Sequence, residues 1–123
     1  MTKVRTAAFR VDASLDMGTG HVMRCLTLAD ELGRHGVRSI FVSSAHEGSL
    51  TEFVRAKGYE VRALPLGDLE TIYPDGPVHA HWLGKPWKQD AQQTLEALQG
   101  EQFDWLVVDH YALDSRWELA VKP

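Results

Sequence analysis

The chain has 123 residues, 44% of them hydrophobic and 24% charged, which is typical of one soluble globular domain. Its formal net charge of −4 lacks the basic excess of a nucleic-acid-binding surface. No apolar run approaches the roughly 18 residues needed to cross a bilayer, and the first residues do not form a signal-peptide core. The single cysteine, Cys25, excludes an internal disulfide. The sequence therefore predicts a cytoplasmic protein without nucleic-acid or membrane partners.

Strand and helix patterns alternate along the chain. An apolar run with few breaks over Lys3 to Val11 predicts a first strand that is covered on both faces. Apolar residues then recur at intervals of three and four from Val22 to Leu32, which predicts an amphipathic helix that ends at Gly33 or Gly36. A glycine-flanked turn, Gly18-Thr19-Gly20-His21, joins the two elements.

Three further strand-helix units follow, and Gly67 to Pro86 is predicted to be one long irregular connection. Asp114 is a favourable N-cap for the last helix. The predicted strands are 37–42, 59–64 and 103–108, and the apolar positions of the helices are Leu50, Phe53 and Val54, then Ala91, Leu95 and Leu98, then Trp117, Leu119 and Val121. This alternation predicts an α/β fold with a Rossmann-like parallel sheet flanked by helices, which binds ligands at the carboxyl ends of its strands.

The glycine turn is the first candidate site. Gly18 and Gly20 permit backbone angles closed to other residues, and the free N–H groups of the following helix can stabilise an anion. His21 lies in the first helical turn, where the helix dipole favours the neutral imidazole that a general base requires. Met23 replaces the third glycine of the dinucleotide fingerprint, and the phosphate-binding loop motif is absent, so a simple NAD or ATP site is disfavoured. The alternative is a tight turn in which His21 only packs locally.

The second candidate site, Asp109-His110-Tyr111, follows the fourth strand, where an imidazole and a phenol can hydrogen-bond sugar hydroxyl or amide groups. Alternatively, Asp109 satisfies backbone N–H groups of its own turn. Arg24 shares a helical face with His21 and is either a diphosphate ligand or an ordinary surface arginine. Asp12 either orients His21, binds a substrate hydroxyl or caps the turn.

Several other polar or aromatic residues are predicted to be structural. The histidines and the aspartate are expected in a flexible loop, the glutamate on the solvated surface, the tryptophans in packing that loop against the domain, and the cysteine as a buried, inert thiol. No metal or cofactor is expected. These residues are Asp75, His79 and His81 in the long connection, Glu47 after the second strand, Trp82 and Trp87, and Cys25.

The stretch Asp12 to Arg24, with Gly18-x-Gly20-His21-x-x-Arg24, resembles the opening of the UDP-2,4-diacetamido-2,4,6-trideoxy-β-L-altropyranose hydrolases of the pseudaminic acid pathway. Asp109-His110-Tyr111 is similar to that family's second motif, and Trp87 to Ala91 resembles a feature of many members. The resemblance implies a bacterial enzyme of the two-lobed glycosyltransferase-B architecture. Residues 1–123 would form its N-terminal lobe, which holds the sugar, and the UDP-binding C-terminal lobe would lie outside this chain.

The resemblance also implies a reaction. Water would cleave the anomeric C–O bond with inversion, releasing UDP and free sugar, and the histidine that matches His21 would activate the water without a metal. Because the fourth predicted helix is cut short, we expect more chain after it, and we expect this lobe alone to hydrolyse nothing at a useful rate. Two alternatives stay open: a glycosyltransferase in which His21 deprotonates an acceptor hydroxyl, and a non-catalytic domain that binds a nucleotide sugar or a partner.

Overall fold

A computed structural model describes residues 4–14, 18–46, 48–66, 83 and 85–122. Within these residues four strands alternate with four helices, as the sequence predicts. The strands are β1 (Thr6–Val11), β2 (Arg38–Ser44), β3 (Glu60–Leu64) and β4 (Trp105–Asp109). The helices are α1 (Gly20–Arg34), α2 (Thr51–Ala56), α3 (Trp87–Ala97) and α4 (Ser115–Val121).

The four strands form one sheet in the order β3-β2-β1-β4, and every neighbouring pair is parallel. Phe9 at the centre of β1 lies opposite Phe41 of β2 and Val107 of β4. The chain moves outward from β1 to β3 and then returns to place β4 on the other side of β1. The carboxyl ends of β1 and β4 therefore border a topological switch point, where parallel sheets bind ligands. The predicted α/β class, with a parallel sheet flanked by helices, is confirmed.

Helices cover both faces of the sheet. Phe9 stacks on Phe41 with ring centroids 4.9 Å apart, on the face that packs against α1 and α2. Ala8 lies on the opposite face, which packs against α3 and α4, and the fully buried Trp117 of α4 belongs to that core. Every residue of β1 is buried. This double coverage is the reason why the first strand has an apolar run without alternation.

The helix ends follow their local signals. Gly36, just beyond α1, has a φ of 79°, a conformation that glycine adopts at no steric cost, whereas Gly33 lies inside the helix. The predicted N-cap of α4 is confirmed, because the Asp114 side chain accepts a hydrogen bond of 3.0 Å from the backbone N–H of Arg116.

Three residues predicted at apolar helix positions are exposed, and one of them is Phe53 of α2, at 41%. Leu119 is 68% exposed, because Trp117 and Val121, four residues apart, already form the buried stripe of α4. Leu95 is 41% exposed, because the buried residues of α3 are Asp90, Ala91 and Thr94, and the buried face continues at Leu98, just beyond the helix.

Several sequence-based predictions fall outside the described residues. One group lies in the long connection, of which residues 67–82 and 84 are outside the description; it consists of Asp75, His79, His81 and Trp82. The other is Glu47. Trp87 is described as the first residue of α3, where it packs against the core beside α4. Among the described helices, none combines the length and the apolar character required to span a membrane.

Candidate functional site

The carboxyl ends of β1 and β4 bring His21 and Asp109 together. His21 is the second residue of α1, which follows the glycine turn, and Asp109 is the last residue of β4. The ring nitrogen Nδ1 of His21 lies 2.7 Å from Oδ1 of Asp109. An ionised carboxylate only accepts hydrogen bonds, so Nδ1 carries a proton, and in the neutral ring Nε2 carries the lone pair. Arg24 Nη2 also lies 3.2 Å from Nδ1, but a guanidinium can only donate, so the shorter contact with Asp109 decides the tautomer. Within the part of the chain that the structure describes, Nε2 has no hydrogen-bond partner, so it is available to accept a proton.

Arg24 forms the second contact of the Asp109 carboxylate. Its Nε and Nη2 atoms donate to Oδ2 and Oδ1 at 2.8 and 2.7 Å, a two-pronged arrangement that suits a guanidinium. Partial burial raises the pKa of Asp109, but the hydrogen bonds from Arg24 and His21 outweigh it and hold the pKa below its ordinary value. The carboxylate is therefore ionised at neutral pH. The Arg24 side chain remains 65% exposed, so it also faces solvent at the mouth of the site.

Tyr111 forms a wall beside the histidine. Its ring meets the His21 ring edge to face, with centroids 4.9 Å apart and planes at 88°. Tyr111 as a whole residue is 57% exposed, whereas the His21 side chain is only 13% exposed. Asp109 thus covers the Nδ1 atom of His21 at the edge of the sheet, and the solvent-exposed ring of Tyr111 lies next to the histidine.

The glycine turn needs only one of its glycines for its backbone shape. Gly18 has a φ of 75° and donates a hydrogen bond of 2.9 Å to the Ser14 carbonyl. Gly20 has no positive φ, so the prediction of unusual backbone angles is right for Gly18 and wrong for Gly20. The N-cap residue Thr19 makes no side-chain cap, and the first turn of α1 contains no acidic residue. The first N–H groups of α1 therefore receive neither a side-chain cap from Thr19 nor an acidic partner within the first turn, and such groups at a helix start can stabilise an anion.

Asp12 and His110 lie below this surface. Both side chains are 0% exposed, and His110 Nε2 is 2.8 Å from Oδ2 of Asp12. Oδ1 of Asp12 also accepts a hydrogen bond of 2.7 Å from the backbone N–H of Ser44. Neither residue presents a polar atom to solvent in this structure, so their sequence-based substrate contacts remain predictions. Asp109 rather than Asp12 is the carboxylate that orients His21.

Sequence reasoning missed a buried ion network beside Asp12. Arg10 donates to Asp12 Oδ1 at 2.5 Å and to the Asp90 carboxylate of α3 at 3.0 and 2.5 Å. Lys85 Nζ lies 3.4 Å from Asp90, and the side chains of these four residues are 0% exposed. Trp117 Nε1 also donates a hydrogen bond of 2.8 Å to Oδ1 of Asp90. The sequence feature that could have revealed this network is an arginine inside a strand covered on both faces, because a buried charge requires a partner.

Arg10 governs the ionisation of both aspartates. Burial raises the pKa of Asp12 and of Asp90, but the charge of Arg10 and the hydrogen bonds around it outweigh that effect, so both pKa values lie below the ordinary value. Burial lowers the pKa of the neighbouring Lys85, and the charge of Asp90 opposes this shift. The network therefore contains two carboxylates that stabilise the fold only while they are ionised.

This network predicts acid sensitivity. Because the folded-state pKa values of Asp12 and Asp90 are depressed, their stabilisation is complete above the unfolded-state value of about 3.9 and is lost as pH falls through the folded-state values. We expect the free energy of unfolding to fall steeply below about pH 4. Urea denaturation at a series of pH values measures it. Asp90→Asn should show a shallower decline, and equal slopes for the two proteins would contradict this assignment.

Cys25 is confirmed as a buried thiol, with 2% of the residue exposed. Burial, followed by the nearby negative charge of Asp109, raises its pKa to about 12. Since only the thiolate reacts with iodoacetamide, we expect labelling of the folded chain at about pH 8 to be at least roughly 100-fold slower than labelling in urea. Comparable rates in the two conditions would show that Cys25 is accessible and reactive.

No protein-family model matches this chain, and comparison with curated proteins yields no significant match. What the structure defines is an α/β protein with a histidine-carboxylate pair at the switch point of a parallel sheet. Its function is therefore inferred from the chemistry of its own residues and from the motif resemblance described above.

Proposed function

We propose that this chain is the N-terminal lobe of an inverting nucleotide-sugar hydrolase in which His21 is the general base. The observation that carries the proposal is the 2.7 Å contact between His21 Nδ1 and Asp109 at the switch point between β1 and β4. It leaves Nε2 to accept a proton at the edge where parallel sheets bind ligands. On the motif resemblance, the substrate is a UDP-linked diacetamido trideoxy sugar, and the free sugar serves pseudaminic acid synthesis.

The proposed reaction is a single displacement at the anomeric carbon. Nε2 of His21 takes a proton from water while the water oxygen bonds to that carbon. The C–O bond to UDP breaks on the opposite face, its electron pair leaves with the UDP oxygen, and the configuration inverts. The Asp109 carboxylate stabilises the imidazolium that forms, in the manner of a base and its orienting carboxylate. The step uses no metal or organic cofactor.

The surroundings of His21 suit such a substrate. The N–H groups at the start of α1 and the exposed guanidinium of Arg24 supply positive potential for a diphosphate. The exposed ring of Tyr111 offers an aromatic surface to the sugar and its acetamido groups. The space beside the turn is open to this approach, since a Cβ added at Gly18 or Gly20 would meet no atom of the described residues within 4 Å.

The deciding experiment follows UDP release from a UDP-linked diacetamido trideoxy sugar by the protein that carries this lobe together with a UDP-binding lobe. We expect repeated turnover in water without any acceptor. Release that begins only when an acceptor sugar or lipid is added would instead identify a glycosyltransferase, because the same base would then act on an acceptor hydroxyl. Binding without release under either condition would identify a non-catalytic binding domain.

The 123-residue chain offers a separate test of the lobe assignment. Because the uridine is assigned to the other lobe and this chain would contact only the diphosphate, we expect titration of this chain with UDP to give weak or undetectable binding by calorimetry and by amide chemical shifts. Tight binding would show that the lobes are assigned wrongly.

A further inference from the structure

His110 lies between the two residues that touch His21. Asp109 precedes it and bonds to Nδ1 of His21, whereas Tyr111 follows it and packs against the His21 ring. The side chain of His110 points the other way, into the interior, where it is 0% exposed. The same short segment thus presents two neighbours to the site and anchors the residue between them in the core.

Both ring nitrogens of His110 are engaged. Nδ1 accepts a hydrogen bond of 3.0 Å from the backbone N–H of Ala112, and Nε2 lies 2.8 Å from Oδ2 of Asp12. A backbone N–H can only donate, so Nδ1 carries no proton, and Nε2 must carry the proton that is donated to the carboxylate. The backbone carbonyl of His110 also accepts from the N–H of Leu113 at 3.2 Å. The contacts thus specify one tautomer and one ring orientation.

The acceptor of this ring is itself held rigidly. Asp12 receives two hydrogen bonds from Arg10, at 2.5 and 3.2 Å, and one from the Ser44 N–H. Arg10 is in turn fixed by Asp90 on α3. Buried networks in which every polar group has a partner resist rearrangement. His110 therefore connects the rigid centre of the sheet to the segment that borders the site.

We propose that His110 is a positioning residue that sets the tautomer and orientation of His21. Held between Asp12 and the Ala112 N–H, it fixes the segment from which Asp109 and Tyr111 reach His21. Its consequence for catalysis rests on the proposed function, whereas its effect on the His21 ring does not. An apolar side chain of similar size would fill the space, but it would leave the Ala112 N–H without its acceptor and remove one donor from Asp12.

Nitrogen-15 NMR of the histidine rings in the 123-residue chain at neutral pH tests the arrangement without any substitution. We expect His110 to be protonated only at Nε2 and His21 only at Nδ1. A proton on Nδ1 of His110 would overturn the proposal directly, because the Ala112 N–H would then have no acceptor.

Two substitutions separate the two bonds of His110. His110→Asn keeps an oxygen close to the Nδ1 position but cannot reach Asp12, whereas His110→Gln keeps a donor toward Asp12 without an acceptor at the Nδ1 position. In each variant we expect His21 to change from one tautomer to a mixture. An unchanged His21 spectrum in both variants would refute a positioning role. If one variant fails to fold, the other variant and the unsubstituted chain still decide the question.

His46→Asn is the matched control. His46 Nε2 lies 3.2 Å from the same Oδ2 atom of Asp12, but His46 follows β2 and does not belong to the segment that carries Asp109. The control removes a comparable contact from the carboxylate, and we expect the His21 tautomer to stay single. A change as large as that in the His110 variants would mean that general loosening of the core, not His110, controls the ring.

Activity of the two-lobed protein separates this proposal from the proposed function. We expect the His110 variants to lower kcat by about 10-fold to 100-fold with little change in KM, the usual scale for groups that orient a reacting residue. A shifted tautomer with unchanged kcat would leave the positioning role standing and remove His21 from catalysis. A lower kcat with an unshifted tautomer would refute the positioning role instead.

Discussion

Replacement of His21 by glutamine is expected to lower kcat for UDP release by roughly 100-fold to 10,000-fold, the range that general base catalysis contributes. Glutamine has a similar size and polarity but accepts no proton at neutral pH, so substrate binding and KM should change little. Initial rates measured with a protein that carries this lobe and the proposed UDP-binding lobe, over a range of substrate concentrations, give both constants. Retention of more than half of the original kcat would exclude His21 as the base.

His35→Gln is the matched control for this substitution. His35 caps the other end of the same helix, and its side chain is 71% exposed beside Glu31. The chemical change is identical, but the residue lies far along α1 from the switch point, so we expect kcat and KM to match the unsubstituted protein. A loss in both variants would point to damage to α1 rather than to loss of a base.

Asp109→Asn tests the orienting carboxylate separately from the base. An asparagine NH₂ can donate toward Nδ1 of His21 and so favours the opposite tautomer, with the proton on Nε2 where the lone pair is needed. We expect kcat to fall by at least about 100-fold, since a comparable change in a histidine-aspartate pair is known to be severe. The His21 NMR spectrum of the same variant should show the change of tautomer.

Arg10→Met is expected to destabilise the fold by about 3–5 kcal/mol, the cost of breaking a buried ion pair from one side. The substitution leaves the Asp12 and Asp90 carboxylates fully buried without the cation that both contact. This loss is a large share of the roughly 5–15 kcal/mol by which domains are stable. Urea denaturation followed by circular dichroism measures it directly.

Arg34→Met provides the comparison for Arg10→Met. Arg34 pairs with Glu31 on the surface of α1, where its side chain is 70% exposed, and such pairs contribute little. We expect its denaturation midpoint to match that of the unsubstituted protein. Equal losses in the two variants would show that the buried network is unimportant. Adding Asp12→Asn to Arg10→Met should recover part of the stability, because Asp12 then carries no uncompensated charge and Asp90 keeps Lys85 as its cationic partner.

Much of the architecture follows from local patterns in the chain. The unbroken apolar run of β1 and the intervals of three and four in α1 identify both elements, because side-chain spacing reports directly on backbone geometry. Parallel strands place their carboxyl ends at one edge, so the turn at Gly18 and the segment at Asp109 could be expected near each other. The positive φ of Gly18 and the cap by Asp114 are likewise local properties.

The pairing of the polar residues has a different origin. His21 and Asp109 are 88 positions apart, and Arg10 and Asp90 are 80 positions apart, so no local spacing relates them. His21 and Asp109 meet because β4 returns to lie beside β1. Arg10 and Asp90 meet because α3 packs on the face of the sheet to which Arg10 points.

The amino-acid pattern alone thus establishes the order and type of the elements and the edge at which the site forms. Three-dimensional packing selects Asp109 rather than Asp12 as the partner of His21, and it buries His110 with its ring facing inward. The physical reason is that hydrophobic periodicity is a property of neighbouring residues, whereas ion pairs and tautomers depend on which distant strands become adjacent.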